Sequence, residues 1–242
     1  MPMPDVLQPL LDYEKRLRPA KPSVYLDLHF ARRADDLEGV RRSSAPVSVT
    51  TLGDALLYLQ CQGQGNRTLD ATVDGVRQSI PIQWVQYVVS TINYVTRLDG
   101  DVLSGEFTGC IMASFIKSDG KKCVAHIPRD ANDPKVDPVK TAWTLIATKG
   151  FLHPYGNGGL GRWFRPLDAW SDAELAAAGP QPTTLGLALS NGECYSLLVV
   201  HDHGTFDLAT KQYQYPFRYR VEGVRRAHVY ILGQTLPLKG RH

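Results

Sequence analysis

The sequence predicts an α+β fold: a mostly antiparallel β-sheet or β-sandwich flanked by helices, in a single domain. Three observations predict it. Alternating apolar runs are joined by Asp74–Gly75, Asp119–Gly120 and Asn191–Gly192, and such dipeptides between alternating runs are hairpin signals. Helical patterns with caps are fewer and lie between the strands rather than alternating with them one for one. The 242 residues are 43% hydrophobic and 21% charged, enough for a sizeable core, and no repeat or linker divides them.

Residues 5–18 read as a helix that stops before the Pro-Ala-Lys-Pro stretch at 19–22. Residues 24–30 alternate like a strand, and the charged stretch to Ser44 reads as a loop or short exposed helix. Within a domain spanning 1–242, residues 1–45 are expected to form a peripheral N-terminal extension. Thr51 and Asp54 make a Thr-x-x-Asp capping arrangement ahead of Leu56, Leu57 and Leu59, and Gly63 and Gly65 break that helix. Residues 67–82 are two alternating runs on an Asp74–Gly75 turn. In 83–98, Trp84, Tyr87, Val88, Thr91 and Val95 fall at helical spacing, so a helix is expected, with Trp84, Tyr87 and Tyr94 in the core.

Residues 138–151 fit strand or helix, with strand favoured. Residues 153–164 read as a glycine-rich loop, and Ser171 with Glu174 caps a short helix. The remainder is β-rich: a hairpin over 184–201 on a type I′ Asn191–Gly192 turn, then strands over 217–223 and 225–232.

The segment GEFTGCIMASFIKSDGKKCVAHIPRD (105–130) carries the chemistry. Ser118–Asp119–Gly120 suits a three-residue loop with Gly120 left-handed, which pairs residues whose numbers sum to 238. One face then carries Ile111, Ala113, Phe115, Cys123, Ala125 and Ile127, all apolar. The other carries Cys110, Met112, Ser114, Val124 and His126. His126 stands opposite Met112, one diagonal step of roughly 7–8 Å from Cys110. An imidazole there can take the thiol proton and return it to a leaving amine. Small residues before Cys110 leave room for substrate, and the Gly109 and Cys110 amides are available to an oxyanion.

That segment resembles the Cys–His hairpin of the bacterial toxin glutamine deamidases, among them cytotoxic necrotizing factor catalytic domains and Burkholderia lethal factor 1. In that family Ser-Gly-Cys enters a strand and a histidine follows on the neighbouring strand. Here Thr108–Gly109–Cys110 and His126 take those places, over little more than twenty residues. The resemblance implies a helix-flanked β-sandwich and a hydrolase that converts a glutamine carboxamide on a target protein to glutamate, a toxin or effector activity in bacterial virulence. It implies Cys110 as nucleophile and His126 as base, with Ser104 or Asp130 as candidate orienters of the imidazole. The same pair fits a cysteine peptidase or a transglutaminase-like acyltransferase. A non-catalytic adaptor, chaperone or immunity-type binding module is the reading from another class.

Other features point elsewhere only weakly. His201, Asp202 and His203 alternate at a strand end without a third ligand, so no metal is expected. The glycine run at 156–161 lacks the Lys-Ser/Thr of a phosphate loop, so no nucleotide or other cofactor is expected. Trp163 and Phe164 beside it are candidates for partner recognition. Net charge is +3, and Arg32–Arg33, Arg41–Arg42 and Arg225–Arg226 are only pairs, which argues against nucleic acid. Four cysteines without a CxxC read as reduced, and Cys61, Cys123 and Cys194 as buried. No basic start precedes an apolar run and no 18-residue apolar stretch exists, so neither a signal peptide nor a membrane span is expected. Cytoplasmic residence at synthesis is expected, with export by a signal-independent route open. The expected partner is a protein substrate; oligomeric state is not legible.

Overall fold

The computed structural model describes residues 3–28, 48–63, 65–96, 100–129, 137–149, 152–153, 161–202, 206–207, 212–213 and 217–231. The first half of the chain runs α1 (Met3–Glu14), β1 (Val24–Leu28), α2 (Leu52–Leu56), β2 (Leu59–Cys61), β3 (Asn66–Val73), β4 (Val76–Val85), β5 (Ile92–Thr96), β6 (Val102–Gly105), β7 (Ile111–Lys117) and β8 (Lys122–Ile127). The second half runs α3 (Pro138–Thr148), β9 (Leu152–His153), β10 (Arg162–Phe164), a 3-10 turn (Pro166–Ala169), α4 (Asp172–Ala178), β11 (Pro182–Ala188), β12 (Cys194–Asp202), β13 (Phe206–Asp207), β14 (Gln212–Tyr213), β15 (Phe217–Arg226) and β16 (Tyr230–Ile231).

The fold is α+β, and most strand pairs are antiparallel; β2 with β5 and β4 with β6 are parallel. In place of a sandwich, seven strands close into a barrel in the order β1-β15-β12-β11-β6-β4-β3, with β3 returning to β1. A second sheet has the order β16-β10-β7-β8-β5-β2. Closure removes the free edges that a sandwich leaves. Leu26, Leu69, Leu103, Leu185, Leu187, Leu197 and Val199 fill the barrel, all fully buried.

Residues 3–28, the described part of the expected N-terminal extension, are integral to the barrel. Val6, Leu7 and Leu10 of α1 join the barrel core, and β1 is the strand that closes the barrel. The helix ends at Glu14 rather than at 18, and Arg16 follows in the left-handed region at φ 60°. The charged stretch to Ser44 lies outside the described residues from 29 onward.

Both capping boxes form, at Thr51/Asp54 and at Ser171/Glu174. The Asp74–Gly75 hairpin forms with Val73 opposite Val76 and both turn residues at positive φ, the two-residue turn that its sequence favours. The Asn191–Gly192 turn differs from expectation. Leu189 pairs with Glu193 across a three-residue loop in which Gly192 alone is left-handed (φ 90°). The two strands expected at 217–223 and 225–232 are one continuous strand to Arg226 followed by the short β16.

Two assignments are reversed. The helix expected over 83–98 is the end of β4, a loop, and β5. Its β-branched residues fit strand geometry, and β3, β6 and β8 supply the ladders that fix it. Residues 138–148, expected as strand, form α3. Asp137 caps it by accepting from the Lys140 amide at 3.1 Å, and Pro138 takes the first turn. Val139, Ala142, Trp143 and Ile146 are its buried stripe, and they pack on the second sheet.

The 105–130 hairpin has the expected register. Ile111 pairs with Ile127, Met112 with His126 and Phe115 with Cys123, and Gly120 sits at φ 80° with its amide donating to Lys117 O. The face carrying Ile111, Ala113, Phe115, Cys123, Ala125 and Ile127 packs against α2 and α3. The opposite face packs against the barrel through Met112, Val124, Val85, Val102 and Ala188. Both faces are thus covered, and the Cys–His face lies at the seam between barrel and sheet.

Candidate functional site

Three elements bring the site together. Strand β6 carries Ser104 at the barrel wall, β8 carries His126 on the second sheet, and the loop between β6 and β7 carries Phe107 and Cys110. Ser104 and His126 are fully buried, and Cys110 is 5% exposed.

Ser104 Oγ donates to the Val85 carbonyl at 2.7 Å and lies 2.8 Å from His126 Nδ1. Since the hydroxyl proton goes to Val85, Nδ1 must be the donor in the second bond. The imidazole is therefore the Nδ1–H tautomer, with a lone pair at Nε2. Nε2 makes no hydrogen bond to any described residue, Cys110 included. The Phe107 ring stacks flat on the imidazole, centroids 4.2 Å apart and planes 8° apart, and Tyr87 meets it edge-on at 5.3 Å. Burial in this aromatic sandwich lowers the His126 pKa to about 3, so the ring is neutral.

Cys110 lies in the seam cluster with Met112 and Val124, on the face of His126. Burial raises its thiol above the ordinary range. The Arg129 amide, the Lys140 ammonium and the Thr108 amide work the other way, while Asp137 adds to the rise. Lys140 Nζ donates to the Gly109 carbonyl at 3.4 Å and faces Asp137 at 3.8 Å. Burial lowers the Lys140 pKa, with Arg165 and Arg129 adding to the effect and Asp137 opposing it. Gly109 has φ 155°, and a Cβ there would stand 3.0 Å from Arg129 Cδ, so the turn into Cys110 requires glycine. The resting pair is a neutral thiol and a neutral imidazole, not an ion pair.

Of the sequence-derived site residues, Cys110, His126 and Ser104 come together around one seam, with Gly109 and Cys110 forming the turn. Asp130 and His203 lie outside the described residues. Trp163 and Phe164 are not a recognition surface: each is 1% exposed. Pairing of β10 with β7 sends Trp163 to the helix side, stacked on Tyr230, and Phe164 to the barrel seam. Cys123 and Cys194 are buried, whereas Cys61 is exposed at the end of edge strand β2. His201 binds Glu106 at 2.6 Å, and Tyr219 donates to the same carboxylate at 2.9 Å. His201 and Tyr219 together hold the Glu106 pKa below its ordinary value against the upward push of burial. No group of three His, Cys, Asp or Glu able to hold a metal occurs among the described residues.

Sequence reasoning missed Val85, Tyr87, Phe107 and Asn93. Asn93 stands directly opposite His126 in the β5–β8 ladder and is 2% exposed. An asparagine within an otherwise apolar strand was the available signal, and reading 83–98 as helix hid it. Among the described residues no helix is long and apolar enough to cross a membrane. Set against known proteins, the chain matches no family model, no curated sequence and no solved structure.

Proposed function

We propose that this protein is a cysteine-dependent amidohydrolase that deamidates a glutamine side chain on a target protein, with Cys110 as nucleophile and His126 as base. One observation carries the reading: Ser104 and the Val85 carbonyl fix His126 in the tautomer that leaves Nε2 a bare acceptor, beside the seam cluster in which Cys110 packs with Phe107 and Met112. Because both groups rest neutral, the thiol proton passes to Nε2 as sulfur attacks the carboxamide carbon. The imidazolium then returns that proton to the departing nitrogen, and ammonia leaves. Water, deprotonated by the same Nε2, cleaves the thioester to give glutamate and the free thiol. Ser104 is a positioning residue in this scheme, and the local resemblance of 105–126 to toxin glutamine deamidases supplies the choice of substrate.

The full burial of His126 favours a second reading, a protein-binding module in which the pair is part of the core. Incubation of candidate target proteins with the chain, read by mass spectrometry, separates the two. Deamidation adds about one dalton to one glutamine, and Cys110→Ser should abolish it while circular dichroism stays unchanged. Amine incorporation would indicate an acyltransferase, and backbone cleavage a peptidase. A folded Cys110→Ser protein with undiminished effect would leave the binding module standing.

A further inference from the structure

Two buried acceptors on neighbouring strands have no hydrogen-bond partner among the described residues: Asn93 Oδ1 and His126 Nε2. Their residues are directly opposed in the antiparallel β5–β8 ladder, so both side chains rise from the same face of the sheet. Neither orientation is arbitrary. Asn93 Nδ2 donates to Gln62 Oε1 at 2.7 Å and to the Gln86 carbonyl at 2.8 Å, which uses both of its protons and leaves the oxygen as the free end. Gln62 is itself held, accepting from the Gln86 amide at 2.9 Å and donating to the Trp84 carbonyl at 2.9 Å. His126 is held through Ser104 to the Val85 carbonyl. Consecutive carbonyls at Val85 and Gln86 thus fix the two side chains, and Tyr87, 39% exposed, lays its ring against the imidazole.

We infer that Asn93 Oδ1 and His126 Nε2 form a paired acceptor for the NH2 end of a primary carboxamide, with Asn93 as a substrate-positioning residue. The inference deepens the deamidase reading and rests on it for the identity of the substrate. Two lone pairs side by side reject a carboxylate, which brings only further lone pairs. An ester brings no donor at all. A peptide-bond amide brings one N–H and leaves one acceptor unmet. A carboxamide NH2 brings two, in one plane, and satisfies both. The site would thereby select a glutamine side chain over the backbone and over the glutamate product, whose carboxylate the acceptors repel. As sulfur attacks, the thiol proton takes the place of the carboxamide N–H at Nε2, which turns from acceptor to donor toward the departing nitrogen already held beside it.

The test compares propionamide with methyl propionate, near-isosteric probes that differ in the NH2 group, by 15N NMR of the Cys110→Ala protein. Propionamide should shift the His126 Nε2 resonance and the Asn93 side-chain amide in a saturable way, and methyl propionate should not. Asn93→Asp, which keeps the oxygen but loses the two amide donors, and Asn93→Leu, which loses both, should weaken the propionamide response at least tenfold. The two-probe comparison needs no change at Asn93, so a variant that misfolds does not remove the test. Equal response to both probes, or none at His126 because only water occupies the pair, overturns the inference. Deamidation is assayed separately. Turnover without a propionamide response at His126 sinks the inference alone, whereas a carboxamide-specific response without Cys110-dependent deamidation sinks the catalytic reading and leaves the binding site.

Discussion

His126 is where the seam is most costly to build. An unfolded imidazole titrates near its ordinary 6.5, and in the fold burial defers protonation to about pH 3. Between those values the unfolded chain holds the extra proton, so stability is full above pH 6.5 and is lost as pH falls toward 3. The slope contributed by one such group is at most about 1.4 kcal/mol per pH unit. His126→Gln should be correspondingly less acid-sensitive: the gap in unfolding free energy between the native chain and this variant should narrow steadily from pH 6.5 to pH 4. Denaturant melts at half-unit steps measure it. A constant gap would mean that His126 is protonated in the folded protein, and the tautomer assigned through Ser104 would then be lost. The Cys110 thiol, raised by burial, belongs to the same picture of a site that holds no charge at rest.

The hairpin of β7 and β8 sets the Cys–His geometry, and its loop sets the hairpin. Gly120 at φ 80° closes the three-residue turn, and a Cβ there would meet nothing within 4 Å. Gly120→Ala therefore carries a conformational cost without a clash, about 1 kcal/mol. The predicted variant melts earlier by a few degrees but retains the register, and with it the Ser104–His126 bond. Loss of that bond in the variant, seen as a change in the His126 15N shifts, would show that the turn, and not the apolar pattern, fixes the register. The apolar pattern is the stronger constraint, because a one-residue slip of β8 would turn Cys123, Ala125 and Ile127 to the barrel seam and His126 into the helix-side core.

On the scale of the whole molecule, the barrel and the second sheet meet at small residues. Gly186 in β11 faces Met112, Pro166 and Phe107, and a Cβ there would stand 2.8, 3.0 and 3.1 Å from atoms of those three side chains. Gly186→Ala should thus overpack the seam and lower stability by about 1–3 kcal/mol. It should also displace Phe107, the ring stacked on His126. Thermal melting gives the first effect and the His126 resonances give the second. A variant as stable as the native chain, with His126 unmoved, would show that barrel and sheet separate more easily than their packing implies. The same close approach buries the cluster that holds Cys110, and Tyr87, 39% exposed, is the ring that runs from His126 toward solvent.

What the sequence determined by itself was local. Asp-Gly after Ser118 and a clean apolar face specified the hairpin register, residue for residue, because strand alternation ties every side chain to one pairing choice. Thr51 with Asp54 and Ser171 with Glu174 marked two helix starts, since caps act within one turn. Cys110 and His126 were legible as a candidate pair because the hairpin register relates them, whereas Ser104 entered only through the family resemblance, as a rival to Asp130. Tertiary structure alone decided the rest. Trp84, Tyr87, Val88, Thr91 and Val95 fall at helical spacing, yet the same segment is two strands, and only the partners β3, β6 and β8 settle which. Barrel closure depends on β1 meeting both β3 and β15, a pairing some 190 residues apart that no window of sequence contains. Trp163 and Phe164 were buried, and Asn93 was set opposite His126, by the same long-range ladders. Hydrogen-bonded pairing of distant strands is specified by the backbone, which every residue carries alike, so it leaves little trace in the sequence.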